Sequence, residues 1–340
     1  MSTVAHQPRQ MLVTGGAGFI GSNFIRLLLA DDPSVSIVNL DLLSYAGSRE
    51  NLRNLPNESR HRLVEGDIGD RGLVADLLAE HHIDTVVNFA AESHVDRSIA
   101  GPEAFVRTNV QGTFCLLEAC RRAWSESGGF AGRRFHQIST DEVYGTLGPG
   151  DPAFSESTPF APNSPYAASK AGADHLVRAY HHTYGLPVVT THCSNNFGPY
   201  QHQEKLIPTV IRACMDGRPI PVYGDGSNIR DWLHVDDHCR GIDRVLRYAA
   251  GGTAYNLGGD NEQSNIALVR RICGVMDELR PERAPHADLI DFVTDRLGHD
   301  WRYAINSEAV SRELGWQAQS DFEVLLAATV RWYLSLWQGT

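Results

Sequence analysis

Short apolar runs alternate along the first half of the chain with longer stretches in which apolar residues return every three or four positions. Residues 11–14, 36–40, 62–65, 85–90, 135–139 and 188–192 have strand character, while 20–30, 72–81, 104–124 and 166–184 have the spacing of helices. Strand and helix in strict alternation predict an α/β fold, a doubly wound parallel (Rossmann) sheet with helices on both faces. After about residue 193 the pattern loosens. Residues 217–224 read as a turn and a short strand, and the rest mixes helices with loops. The expected organisation is therefore a sheet domain over 1–192 and a smaller, mixed α/β lobe over 193–340, with some segments returning to the sheet. Residues 1–10 read as a loose polar tail, and the Ser/Gly-rich stretch 125–132 as a turn between a helix and a strand.

Composition narrows the classes. At 340 residues, with 42% hydrophobic and 21% charged side chains, the chain can bury a large core and is not disordered. A formal net charge of −11 argues against nucleic acid, whose phosphates require a basic surface. Six cysteines without Cys-x-x-Cys pairs or nearby His clusters fit a reduced, cytoplasmic protein and no metal site. There is no apolar leader, and no run approaches the roughly 20 apolar residues that span a bilayer, so no membrane partner is expected.

The first strand-to-helix turn reads Thr14-Gly15-Gly16-Ala17-Gly18-Phe19-Ile20-Gly21, a Gly-x-x-Gly-x-x-Gly pattern. Placed there, glycines permit a tight turn and let a pyrophosphate approach the backbone at a helix N-terminus. Asp41 ends the second strand 20 residues after Gly21. A carboxylate at that position would hold an adenosine ribose and repel a 2′-phosphate, which favours NAD over NADP. Asp67 and Ile68, ending the third strand, are candidates to contact adenine. The fourth and fifth strands run into segments 88–96, which include Ala90, and 139–142. Both should face the nicotinamide and a substrate, because ligands of open parallel sheets gather at strand carboxyl ends.

Tyr166 and Lys170 stand four apart on a helix, a spacing that stacks an ammonium beside a phenol and favours a phenolate able to take a proton from a hydroxyl. Alone, the pair reads better as a core tyrosine and a surface lysine. Its combination with Ser139-Thr140-Asp141-Glu142-Val143-Tyr144-Gly145, which adds an acid and a base, points to chemistry.

The glycine turn with Tyr166 and Lys170 resembles the extended short-chain dehydrogenase/reductase superfamily. Within it, segments 91–98, 139–145, 193–200, 204–208 and the Arg230-Asp231-Trp232 motif resemble the dTDP-glucose 4,6-dehydratases. That resemblance implies a lyase with NAD as cofactor, in which Tyr166, assisted by Lys170, deprotonates the C4 hydroxyl and Thr140 binds the C4 oxygen. Glu142 would then remove the C5 proton while a protonated Asp141 expels the C6 hydroxyl. It also implies that Asn195 and Arg230, with Asn265 or Arg296, hold a diphosphate. Lys205, Leu206 and Pro208 would line the nucleobase side, Glu204 would belong to the substrate site, Ser93 and His94 would approach the hexose, and two copies would pair through helices 104–124 and 166–184. The chain departs from the family pattern at Gln201-His202-Gln203, where a Phe-Pro pair is commoner, and at Leu297, where proline is usual. Those departures leave the base open between dTDP-, UDP- and CDP-glucose. The rivals are a nucleotide-sugar 4-epimerase, which needs no Asp–Glu pair, and a non-catalytic NAD-binding regulator.

Overall fold

The computed structural model describes residues 6–295, 297–319 and 321–338. Its strands are β1 (Gln10–Thr14), β2 (Ser36–Asp41), β3 (His61–Glu65), β4 (Thr85–Asn88), β5 (Arg134–Thr140), β6 (Val188–Cys193), β7 (Asn195–Phe197), β8 (Ile220–Tyr223), β9 (Ile229–His234), β10 (Thr253–Leu257), β11 (Glu262–Ser264) and β12 (Ile290–Val293). Seven of them form one sheet in the order β10-β6-β5-β4-β1-β2-β3, and every neighbouring pair is parallel. The order reverses between β1 and β4, which opens a crevice at the carboxyl edge. Burial runs through the interior strands, polar positions such as His136, Gln137 and Thr191 included. The interior strands β4, β5 and β6 are buried at every position, whereas edge strand β3 is nowhere fully buried.

The helices are α1 (Phe19–Asp31), α2 (Arg71–Glu80), α3 (Val95–Ala100), α4 (Glu103–Phe105), α5 (Thr113–Glu126), α6 (Pro165–Tyr184), α7 (Leu206–Asp216), α8 (Val235–Tyr248), α9 (Asn265–Leu279), α10 (Glu308–Leu314) and α11 (Phe322–Gln338). On one face of the sheet α1, α8 and α10 bury Phe24, Leu28, Ile242, Leu246 and Leu314. On the other, α2, α5 and α6 bury Leu77, Leu116, Trp124 and Val177. A separate core of Phe197, Ile211, Leu268, Ile272, Met276 and Tyr333 joins α7, α9 and α11 to β7, β8 and β9. The strands of this smaller part pair as β11-β9-β7 and β12-β8.

Three features differ from the sequence pattern. The tail is not loose from His6 onward: the His6 N–H donates to the Arg247 carbonyl at 2.7 Å and its ring contacts Thr85 Oγ1 at 2.7 Å. The helix expected over 104–124 is interrupted by a π-helical stretch, Val106–Gly112. The wider turn brings Asn109 inward, as such insertions at functional sites do. Finally, β10, which the pattern does not mark as a strand, is one of the later segments expected to return to the sheet, pairing with β6 in register Thr253 to Val189. Among the described residues no helix is long and apolar enough to cross a membrane, and all six cysteines are buried and unbridged.

Candidate active site

The cleft at the strand carboxyl ends begins with the turn between β1 and α1. Gly15 has φ +68°, and a Cβ there would lie 2.6 Å from the Ala90 nitrogen, so any larger residue would push β1 and β4 apart. Gly18 is the N-cap of α1 and offers no side-chain cap, which leaves donors of the first turn to a ligand. Asp41 faces the same space. Its Oδ2 accepts from the Ala17 N–H and its Oδ1 from the Leu43 N–H, both at 2.8 Å. Burial pushes this carboxyl up and the two N–H groups pull it back. Gly15, Gly18, Phe19, Ile20, Gly21, Asp41, Asp67, Ile68 and Ala90 all line one cleft. A turn too narrow for a Cβ, an uncapped helix start and a ribose-height carboxylate fit a dinucleotide of the NAD type.

The same cleft is lined by Thr140, Asp141, Glu142, Tyr166 and Lys170. Thr140 ends β5 and caps the 3-10 turn Asp141–Tyr144, its Oγ1 accepting from the Glu142 N–H at 3.3 Å. Asp141 is 2% exposed. Its Oδ1 faces Thr140 Oγ1 at 3.2 Å, and its Oδ2 is buried with no protein partner. Burial drives the Asp141 carboxyl well above its ordinary value. Glu142 and Asp231 add to the rise, against Arg230 and the Thr140 hydrogen bond. Asp141 is therefore an acid that keeps its proton where ordinary carboxyls have lost theirs.

Ser164 and Pro165 start α6, the Ser164 Oγ accepting from the Ala167 N–H at 3.1 Å, and this fixes Tyr166 in the first turn. The expected acidified phenol meets an opposing field. Burial pushes Tyr166 well above its ordinary value, Glu142 and Cys193 push it further, and the Thr140 hydrogen bond pulls it back. Lys170 is 4% exposed, and its Nζ donates to the Ile138 carbonyl of β5 at 2.6 Å. Burial lowers the Lys170 ammonium and Asp174 counteracts it.

The lobe side is more divided. Ser93, Asn195, Glu204 and Lys205 line the cleft. Glu204 lies 3.7 Å from His94, 3.5 Å from Arg97 and 3.6 Å from His202, and Lys205 Nζ donates to the Ser93 carbonyl at 3.3 Å. These contacts tie the start of α7 to α3 across the cleft, and Arg97 lies over the Tyr45 ring at 4.0 Å. His94 thus meets Glu204 outside the cleft lining. Leu206 and Pro208 turn into the lobe core instead of lining a base pocket, because α7 buries that face. Asn265 begins α9 and its N–H donates to the Asn228 carbonyl at 2.9 Å. Arg230 is 5% exposed. Its guanidinium donates to the carbonyls of Ile229 (2.7 Å) and Asp300 (2.9 Å) and covers the Tyr303 ring at 4.4 Å. Its charge lowers the Asp141 carboxyl, and it does not line the cleft. Arg296 lies outside the described residues.

Several contributors had no assignment from sequence. Asn109 clamps the 91–94 loop to α6, accepting from the Glu92 N–H at 2.9 Å and donating to the Glu92 carbonyl at 3.0 Å and Ser169 Oγ at 2.8 Å. Asp231, held by the N–H groups of Gly259 (2.9 Å) and Asn261 (2.7 Å), helps to keep Asp141 protonated. One signal was readable: the chain has only two lysines, Lys170 and Lys205, and both line the cleft. Among the described residues no cluster of His, Cys, Asp and Glu could hold a metal ion.

Residues 12–329 match the family model described as GDP-mannose 4,6 dehydratase. A dTDP-glucose 4,6-dehydratase of Xanthomonas campestris pv. campestris (strain B100) is 55% identical, covering 95% of this chain and 93% of the relative. The dTDP-glucose 4,6-dehydratase 1 of Escherichia coli K12 is 49% identical, with 96% and 93% covered. The solved dTDP-glucose 4,6-dehydratase DesIV of Streptomyces venezuelae, which has NAD and dTDP bound, superposes with a TM-score of 0.88 at 48% identity, covering 96% of this chain and 97% of that one. A UDP-glucose 4-epimerase of Thermus thermophilus in complex with NAD shares the architecture at 27% identity and a TM-score of 0.82, with 96% and 99% covered. By the span of the family match and the identity to these relatives, the chain belongs to the dTDP-glucose 4,6-dehydratases within the GDP-mannose 4,6-dehydratase family.

Proposed function

We propose that this chain removes water from dTDP-glucose to give the 4-keto-6-deoxy sugar nucleotide, with NAD as its resident cofactor. One observation carries the reading: Asp141, 2% exposed and with its carboxyl driven well above its ordinary value by burial, adjoins Glu142 in the cleft that also holds Tyr166 and the glycine turn. A 4-epimerase has no step that needs such an acid. The nucleobase follows the relatives, which are named for dTDP-glucose.

NAD, held by Gly15–Gly21 and Asp41, supplies a hydride acceptor and store, so that the overall reaction consumes no reductant. Tyr166 takes the C4 hydroxyl proton, with the Lys170 ammonium offsetting the phenolate charge and Thr140 holding the C4 oxygen. A ketone at C4 acidifies the C5 hydrogen, which Glu142 removes. Asp141 passes its proton to the C6 hydroxyl, which departs as water. Once C6 is saturated again, Glu142 returns its proton to C5. Asn195 and Lys205 are the candidates to meet the nucleotide diphosphate. In this reading residues 1–192 form the cofactor domain and 193–340 the substrate lobe, with β10 and α8 completing the former.

The outward side of α5 and α6 carries Glu118, paired with Arg121 at 2.7 Å and Arg122 at 2.6 Å and accepting from the Tyr180 hydroxyl at 3.1 Å. Val106, at the start of the π-helical stretch that precedes α5, is 55% exposed. These features support a homodimer paired through α5 and α6, and a monomer by sedimentation would remove that part of the reading.

The function is tested by incubating the purified protein with dTDP-, UDP- and CDP-glucose separately and following each by mass. Loss of water from dTDP-glucose is expected, fastest of the three. An epimer of unchanged mass would overturn the reading in favour of the rival.

A further inference from the structure

Between β12 and α10 the chain passes from the lobe to the catalytic turn. Arg302 pairs with Ile229 of β9, whose N–H donates to the Trp301 carbonyl at 2.8 Å and whose carbonyl accepts from the Tyr303 N–H at 3.1 Å. Tyr303, Ala304 and Ile305 then enter a core shared with Val143 and Tyr144, which belong to the 3-10 turn of Asp141 and Glu142. Asp300, at the head of this segment, is 7% exposed and does not line the cleft. Its carbonyl accepts from the Arg230 guanidinium at 2.9 Å and from Asn228 Nδ2 at 3.3 Å, which anchors it in the lobe.

The Asp300 carboxylate joins the same segment to α6. Oδ1 accepts from Asn163 Nδ2 at 2.7 Å, and Oδ2 accepts from the Tyr303 hydroxyl. Burial and the Glu142 charge push the Tyr303 phenol up, so it keeps the proton it donates. Two donors therefore meet two acceptor atoms, an arrangement that suits a carboxylate, and charge strengthens both bonds. Asn163 stands immediately before Ser164, the N-cap whose Oγ fixes the first turn of α6 and Tyr166 within it. The two backbones also approach here: Gly298 has φ +62°, and a Cβ on it would lie 3.6 Å from the Asn163 carbonyl oxygen.

We propose that Asp300 is a positioning residue that sets the register between the substrate lobe and the start of α6. A sugar nucleotide seated on the lobe meets the Tyr166 hydroxyl only when the two walls stand at one separation, and an error of about 1 Å in such a geometry costs on the order of 100-fold in rate. Asp300 takes its place from the lobe through its carbonyl and from the catalytic turn through Tyr303. Its carboxylate then passes that position to Asn163, three residues before the base. Asp300 lies outside the cleft and acts through Asn163. The inference rests on Tyr166 being the C4 base.

Asn163 is exposed, so its variants should fold. Asn163→Asp sets two carboxylates against each other and should lower the single-turnover rate of C4 oxidation about tenfold. Affinities for dTDP and NAD should stay within about twofold of the natural values, because neither Asn163 nor Asp300 lines the cleft. Adding Asp300→Asn exchanges donor and acceptor: the new amide donates to the new carboxylate while its oxygen still accepts from Tyr303. That double variant should recover to within about threefold of the natural rate. Thr146→Val removes a different bond of the same segment, from the Trp301 N–H to Thr146 Oγ1 at 3.0 Å, and should leave the rate unchanged. Amide hydrogen exchange over residues 166–170 reads the tie without any chemistry. It should quicken about fivefold or more in Asn163→Asp and slow again in the double variant. A full rate or unmoved exchange in Asn163→Asp, no recovery in the double variant, or an equal loss in Thr146→Val would overturn the proposal. Tyr166→Phe separates the two claims: full C4 oxidation in that variant removes the base assignment, whereas exchange at the start of α6 judges Asp300 by itself.

Discussion

The two walls of the cleft are built on different terms. On the sheet side, each residue expected to hold the cofactor or run the chemistry lines the same space. Of the described residues expected on the lobe side only Ser93, Asn195, Glu204 and Lys205 do, while Pro208 is buried in α7 and Arg230 is buried among the carbonyls of Ile229 and Asp300. At the carboxyl end of a parallel strand the side chains that leave the sheet have one direction to go, so a short motif determines both position and aim. In the lobe, the face a residue shows depends on how α7 and α9 pack, and a short motif does not encode that.

The comparison breaks most visibly at Tyr166. Tyr166→Phe keeps the ring in contact with Phe105, at 6.4 Å between centroids, and removes only the hydroxyl. C4 oxidation should fall on the order of 10³-fold, read as the pre-steady-state appearance of reduced nicotinamide, with NAD affinity retained. A variant that keeps more than a tenth of the rate would move the base elsewhere.

Glu204→Gln probes the other wall. It removes the charge that pairs with Arg97, a part-exposed contact worth about 0.2–1 kcal/mol after solvent screening, and that faces the His94 and His202 rings, which pair with it only when protonated. The expected result is a rise in KM for the sugar nucleotide of up to about fivefold with kcat much less affected, because the contacts join the lobes and touch no reacting atom. If kcat falls as steeply as in Tyr166→Phe, Glu204 belongs to the chemistry and the contrast between the walls is lost.

Legibility follows the same line. The six strands and the glycine turn were readable because short strand-like runs alternate with stretches of helical spacing, and the Asp141–Glu142 pair because it follows one of those runs. β10 was missed: its sequence, Thr-Ala-Tyr-Asn-Leu, carries Asn256, which bonds the Tyr144 hydroxyl and the Phe154 carbonyl inside the sheet and breaks the apolar pattern. The π-helical stretch leaves helical periodicity nearly intact, so Asn109 looked like any helix residue. Asp231 sat in a recognised motif, yet its effect on Asp141 passes between β9 and the 3-10 turn, elements 90 residues apart in sequence. The field around Tyr166 is likewise tertiary.

The smallest effect is thermodynamic, and it tests whether the sheet-side acid is loaded as proposed. An ordinary aspartyl group titrates near about 3.9, whereas Asp141 is held well above that in the folded chain. The folded state therefore keeps a proton that the unfolded state releases, and the contribution of Asp141 to stability falls as pH rises from about 4 toward its folded value. Asp141→Asn carries no such penalty. It should melt higher than the natural protein at neutral pH, by about 1 kcal/mol or more, with the gap closing as pH falls toward about 4. The same variant should lose dehydration, so catalysis and stability move in opposite directions at one buried atom. Melting curves that stay parallel from pH ~4 to ~8 would mean that Asp141 is ionised in the fold, and the proton for the departing hydroxyl would have to come from another group.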